Sequence, residues 1–454
     1  MFKAIANIIA IPDLRRRVGF TLIALAIYRI GFFIYLPGVR LDVLEDALAN
    51  VPDGGGGLLS FLGMTSLLTG GNLRNATIFS LGIMPYISAS IIFSLMTKVF
   101  PKLEELQKEG ESGRKVIARW TRYSTVLFCL LQSIIVVQAI TSPNFLGNGV
   151  AVSDSGFALG LLQVMVLTCG TLFLMWLGEK ITENGIGNGI SLMIMAGIVA
   201  SIPTMFLSFS TEWASMAMTP DERPFFVVKI LILLLLFFAI VAGVVFITKG
   251  QRRIPIQNAR TVRGQGSQRH YMPIRVNSAG VLPIIFAQSL LMVPGVVLTF
   301  IPGAQGIGAL LAPGAFWYLA LYVGMIGFFT YFWTSLYYNP VEIADNMKEH
   351  GSFIPGIRPG RRTAEYLQLV FARITLAGAV FLAVIALIPQ LISKVQPGVG
   401  GGSLAQMMGG TAILIVVGVA LDLVDKIEAQ LLARQYEGFV APRRGRSGAT
   451  SRDR

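Results

Sequence analysis

The sequence predicts an all-α, polytopic membrane protein, on three observations: its composition, a succession of long apolar windows, and a charge imbalance between alternate loops. Hydrophobic residues make up 54% of the 454 and charged residues 13%, with a mean hydropathy of +0.67, whereas soluble domains carry about 25% charged residues. A helix needs about 20 mostly apolar residues to cross the hydrocarbon core. Ten windows qualify, at 18–38, 76–96, 123–141, 157–177, 187–207, 225–247, 280–300, 317–337, 371–391 and 409–427. Gly or Pro interrupts the seventh and tenth, and the fifth is rich in Ser, Met and Gly. An even number of spans puts both termini on one side.

Charge identifies that side. The termini and the segments 97–122, 178–186, 248–276 and 338–373 together hold 31 Lys and Arg against 16 acids; the opposite loops hold only Arg40, Arg74, Arg223 and Lys394 against eight acids. Basic loops stay cytoplasmic, so both termini are expected in the cytosol. The N-terminal "MFKAIANIIAIPDLRRR" has no small-residue cleavage site before the first span and reads as mature cytosolic sequence.

Two stretches between the spans need more than a loop. Residues 58–68 form a short apolar run bounded by glycines. Eleven helical residues cover about 16 Å, well short of the roughly 30 Å core. The run cannot cross; it either lies on the outer leaflet or enters the membrane under cover of protein or a water-filled cavity. The second stretch is "GQRRIPIQNARTVRGQGSQRHYMPIRVN" (250–277), with six Arg, one His and no acid. Orientation needs only a few flanking charges. The length, the glycines and the β-branched "IPIQ" suggest a protruding hairpin or loop, as an orientation signal or as a docking surface for an anionic partner.

Other chemistry is poorly supported. Cys129 and Cys169 sit in separate apolar runs, and His270 and His350 in polar loops, so neither a disulfide framework nor a usual metal site is expected. The "GIGNG" at 185–189 lacks the strand and Lys of a phosphate loop. Secondary transporters generally keep ionisable groups at mid-membrane. Here only Arg29 lies near a span centre, while Glu179, Asp422 and Asp425 fall near span ends. A small-solute transporter is the rival class.

The sequence resembles the SecY family of protein-conducting channels. The resemblance is carried, in order along the chain, by "SLGIMPYISASII" (80–92), "EGESGRKVIARWTRY" (109–123), "WLGEKITENGIGNGISLMIMAGIV" (176–199), "KGQRRIPI" (249–256), "NPVEIADNMKEHGSFIPGIRPG" (339–360) and "RITLAGAVFLAVIALIP" (373–389). It implies ten helices in two inverted pseudo-symmetric halves, 1–207 and 208–441, opening like a clamshell, with 442–454 a basic, disordered tail. It also implies a passive channel without a cofactor. Unfolded secretory polypeptides would cross the membrane through it and transmembrane segments would leave sideways into lipid, driven by a partner motor or the ribosome.

The same resemblance assigns residues. The run at 58–68 becomes a re-entrant plug helix with Leu58, Leu59, Phe61, Leu62, Met64, Leu67 and Leu68. Ile83, Ile87, Ile190, Ile194, Ile285 and Ile415 become a pore ring; by themselves these isoleucines read as core or lipid-facing. An apolar constriction excludes ions by dewetting and can part around any polypeptide. Ser88 and Ser90 of the second span, Gln132 of the third, and Gln288 and Ser289 of the seventh would line a lateral gate, beside Pro85, Pro283 and Pro294. Arg252, Arg253, Arg260, Arg263, Arg269 and Arg358 would dock the ribosome or the SecA motor ATPase. Implied partners are the small membrane subunits SecE and SecG, then SecA, the ribosome, SecD, SecF, YidC, signal peptides, nascent chains and lipid, all at the bacterial cytoplasmic membrane.

Overall fold

The computed structural model describes residues 11–40, 76–141, 156–203, 223–258, 270–288 with 290 and 291, 315–395 and 410–440. Helix α1 (Pro12–Ile30) opens on a proline, with Asp13 in its first turn and Arg29 in its last, each charge complementing the helix dipole. A 3-10 turn, Gly31–Phe33, follows, and Tyr35 then bridges Thr77. The Leu36 amide donates to the Ala76 carbonyl (2.9 Å) and the Ile78 amide to the Ile34 carbonyl (3.0 Å). Non-helical backbone thus lies inside two apolar windows with these polar groups paired, the condition for irregular backbone at membrane depth.

This corrects two span boundaries. The first window extends to 38, yet α1 stops at Ile30; the second opens at 76, yet α2 (Met84–Val99) begins eight residues later. Residues 76–83 form tight turns, with the Ser80 hydroxyl donating to the Thr77 carbonyl (2.7 Å) and Gly82 at φ +57°. Two glycines admit the turn: a Cβ on Gly31 would fall in the Phe79 ring, and one on Gly170 would strike the Ile78 carbonyl.

After α2 come α3 (Pro101–Lys108), α4 (Glu111–Thr141), α5 (Phe157–Asn184), α6 (Gly189–Ala200) and α7 (Arg223–Lys249). A helical segment follows at 282–288. The chain continues through α8 (Phe316–Tyr337), α9 (Pro340–Glu349), α10 (Arg361–Val395) and α11 (Gly410–Val440). At 31 and 35 residues, α4 and α10 are about 46 and 52 Å long and exceed the roughly 30 Å core. Their polar first turns, which hydropathy windows discard, stand beyond it on the basic side. Among the described residues, four stretches are long and apolar enough to cross a membrane: Glu111–Gln138, Phe157–Asn184, Phe316–Glu349 and Arg361–Ile388.

The chain is mainly helical but not wholly so. Strands β1 (Gln251–Asn258), β2 (His270–Arg275) and β3 (Ser352–Phe353) make an antiparallel sheet ordered β2-β1-β3. Ile254 faces Met272 and Arg252 faces Ile274 across the hairpin, while Gln257 pairs with Phe353. The expected protrusion is therefore a hairpin, and the segment after α9 adds a third strand to it.

Apolar side chains collect in separate cores. One joins α1, α2, α5 and α6 around Tyr28, Phe79, Ile83, Leu177 and Met193. A larger one joins α7, the 282–288 segment, α8, α10 and α11 around Val244, Ile284, Phe286, Tyr322, Ile326 and Leu382. A third lies under the sheet, where Ile254, Ile274 and Ile354 pack on Leu367, Val370 and Phe371 of α10.

Candidate functional site

Five of the six expected ring isoleucines fall into two adjoining apolar clusters. Ile83 is buried in the first core, with Ile87 and Ile190 packed against it beside Val419 and Leu423 of α11. Ile194 packs with Ile198, Ala412 and Ile415 in a second cluster, to which Val419 also belongs. Val419, on α11, thus packs on both clusters, and α11 lies against α6. Ile285 is buried as well, and its amide donates to the Val281 carbonyl (3.3 Å); Val281 packs on the Ile415 cluster. Ile83 caps α2 rather than lying within it, but the Ile87 amide donates to its carbonyl (3.0 Å), so the one-turn spacing holds.

The α5–α6 turn sets where Ile190 and Ile194 stand, and here "GIGNG" finds its purpose. The Asn188 side chain caps α6 by accepting from the Ile190 and Ser191 amides (3.1 and 3.4 Å). The Thr182 hydroxyl donates to the Gly178 carbonyl (2.8 Å) and accepts from the Gly189 amide (2.9 Å). Thr21 of α1 accepts from the buried Ile186 amide (3.2 Å). A Cβ on Gly189 would strike the Gly178 carbonyl, and one on Gly178 would meet Met193 at 2.8 Å and Ile190 at 3.1 Å. These glycines let two helices close on each other; no phosphate is needed to explain them. Just before the turn, the Lys180 ammonium donates to the exposed Glu183 carboxylate (2.7 Å).

The structure describes four of the five residues expected to line a lateral seam. Ser88, Ser90 and Gln132 are half-buried and Gln288 is buried. Among the described residues no hydrogen bond joins these four; the Ser90 carbonyl accepts from Ser94 of its own helix (2.7 Å). Contact with the second core comes instead from Ile91 and Leu95 of α2. Sequence reasoning sought polar groups there and passed over these two, although Ser88, Ile91 and Leu95 share a helical face by spacing. On its other flank α2 packs against α4, which is tied to α5 by Arg122 and Glu179 at 2.8 Å.

On the basic side, Arg252 and Arg253 are exposed on β1. Successive strand residues point to opposite faces, so Arg252 shares the Ile254 face and Arg253 takes the outer one. Arg358 is exposed on a turn between Gly356 (φ +84°) and Gly360 (φ +101°), and its carbonyl accepts from Thr363 (3.0 Å). Ile354 and Ile357 seat that turn on the core beneath the sheet. The described parts of the two loops expected to dock partners therefore form one body. Arg260, Arg263, Arg269, Ser289 and the plug residues at 58–68 lie outside the described residues. Arg29 lies in the last turn of α1, with its guanidinium 5.1 Å from the Phe32 ring centroid and 5.7 Å from that of Phe33. That cation–π placement accounts for its charge without a substrate.

The class of fold is that of a polytopic membrane channel. Two solved structures share it: a protein-conducting channel (18% identity, TM-score 0.62, 94% of this chain and 95% of that one), and Sec61 in the canine ribosome–channel complex from the endoplasmic reticulum (17% identity, TM-score 0.59, the same coverage). The SecY family model matches residues 77–424. The protein translocase subunit SecY of Mycobacterium bovis is 40% identical over 457 aligned residues, covering 97% of this chain and 100% of its own. The chain belongs to the SecY family.

Proposed function

We propose that the chain is the pore-forming subunit of a bacterial protein translocase, passing unfolded polypeptides across the cytoplasmic membrane and releasing apolar segments sideways into lipid. In this reading it spans the membrane ten times with both termini in the cytosol, in halves 1–207 and 208–441, and residues 58–68 plug the outer funnel. The observation that carries it is the meeting of α6, from one half, with α11, from the other, where Val419 packs on both the cluster that holds Ile83 and the one that holds Ile415. A contact between halves that is made of aliphatic side chains can part and close again without leaving polar groups unpaired. Ion-coupled solute transport would need ionisable groups there, and the ring positions are isoleucines.

Energy comes from partners. The canine relative in a ribosome–channel complex supports the ribosome as one, and exposed Arg252, Arg253 and Arg358 on a common body suit ribosomal RNA phosphates and an acidic motor surface alike. Motor-driven import is assigned to SecA, and the membrane complex to SecE and SecG. The test is ATP-dependent import of a preprotein into vesicles holding the complex. Arg358→Glu is expected to abolish import while ribosome cosedimentation falls only modestly; import at the wild-type rate would remove Arg358 from motor coupling.

A further inference from the structure

We infer that Gly378 and Asn277 are positioning residues: they form a joint through which docking on the β1–β2 hairpin is passed to the helical segment at 282–288. The inference rests on the translocase reading above and names where its two ends, docking and gate, are connected.

Four elements meet at the place where β2 leaves the sheet. The Val276 amide donates to the carbonyl of Gly250 (3.0 Å), the single residue between α7 and β1. The Val276 carbonyl lies against α10 at Gly378, where a Cβ would come within 2.7 Å of it and within 3.9 Å of the Asn277 Cα. Arg275 reaches Asp425 of α11 at 3.7 Å, and the Ser278 hydroxyl donates to the Arg275 carbonyl (2.8 Å). The end of the hairpin is thus held to α7, α10 and α11 within three residues. Gly280, at φ +64°, then turns the chain into the segment whose Ile284, Phe286 and Ala287 belong to the core that Ile91 and Leu95 of α2 also touch. A displacement of the hairpin has a short, braced route to the seam.

Asn277 makes the joint more than a fixed anchor. It is 9% exposed and its Oδ1 is buried without a hydrogen-bond partner among the described residues, which disfavours this arrangement relative to one in which the oxygen is paired. A buried group left unsatisfied in one state and satisfied in another biases the equilibrium between them. Gly378 permits the close contact, because only a residue without a side chain lets the Val276 carbonyl rest on α10.

The test uses the complete membrane complex in vesicles, with Cys129 and Cys169 replaced by Ser and a reporter Ile91→Cys on α2. Three quantities are read: motor affinity, ATP-driven preprotein import, and maleimide labelling of the reporter when the motor is added. Gly378→Ala should leave motor affinity within about twofold and lower both import and motor-induced labelling by about tenfold, the usual size of a coupling between sites. Gly327→Ala, where an added Cβ meets nothing within 4 Å, should behave as wild type. Should Gly378→Ala fail to assemble, Asn277→Leu, which keeps the volume and removes the orphan oxygen, is expected to produce the same split. Wild-type coupling in the assembled variants would overturn the joint, and so would a loss of motor affinity as large as the loss of import, because the residues would then merely hold the hairpin. Absence of motor-induced labelling in the wild-type complex would instead overturn the translocase reading beneath it.

Discussion

Helix α2 is held very differently on its two flanks. Toward its own half, the turn at 76–83 is hydrogen-bonded to residues 34–36, glycines at 31 and 170 admit its backbone, and neighbouring α4 and α5 are joined by Arg122 and Glu179. Toward the other half, among the described residues, partly buried aliphatic side chains, Ile91 and Leu95, meet the core. The first flank combines directional bonds with contacts too close to tolerate a shift, and the second relies on packing that has no preferred register. A molecule that opens along one plane needs such an asymmetry, and on the reading proposed above that plane runs between α2 and the segment at 282–288.

Substitutions should separate the two flanks. The largest effect is expected from Gly170→Val, whose side chain would overlap the Ile78 carbonyl. A loss of about 3 kcal/mol or more is expected from such overpacking, read as failure to recover the assembled complex from detergent. At the seam, Ile91→Asn with Leu95→Asn should leave assembly intact yet raise import of preproteins with defective signal sequences by about tenfold, since each polar group weakens an apolar contact by roughly 1 kcal/mol. Unchanged rejection would move the opening plane elsewhere. The smallest effect belongs to Arg122→Ala. The pair is partly exposed, with the Glu179 side chain at 23% and Arg122 at 48%, so about 1 kcal/mol is the most it can supply; a thermal shift of the purified complex measures it, and signal selectivity should not change.

The difference between the flanks also marks what sequence can reveal. Apolar windows found the four described stretches that are long and apolar enough to cross a membrane, because hydropathy is averaged over a whole helix. They missed the turn at 76–83, because an apolar turn and an apolar helix have the same hydropathy, and what decides between them is Gly82 at positive φ and a pairing with residues 34–36 some 40 positions away. A protruding hairpin or loop was expected from the glycines and "IPIQ", whereas β3 is two residues long and joins β1 across about 95 residues, too short to leave a periodicity. At the candidate site, the isoleucines of the ring followed from resemblance and not from pattern. Ile91 and Leu95 were passed over for a related reason: nothing in an aliphatic residue on an aliphatic helix says whether it faces lipid, core or seam.

The central claim is that a polypeptide passes between the two halves at the isoleucine ring. The most direct measurement is photo-crosslinking from a probe at position 87 of α2 or 415 of α11 to a secretory chain stalled during import, with position 167, fully buried within the first half, and position 127, exposed on the outer face of α4, as references. Adducts with the stalled chain at 87 and 415 and none at 167 or 127 are predicted. Adducts at 127 or 167 with none at the ring would contradict the account.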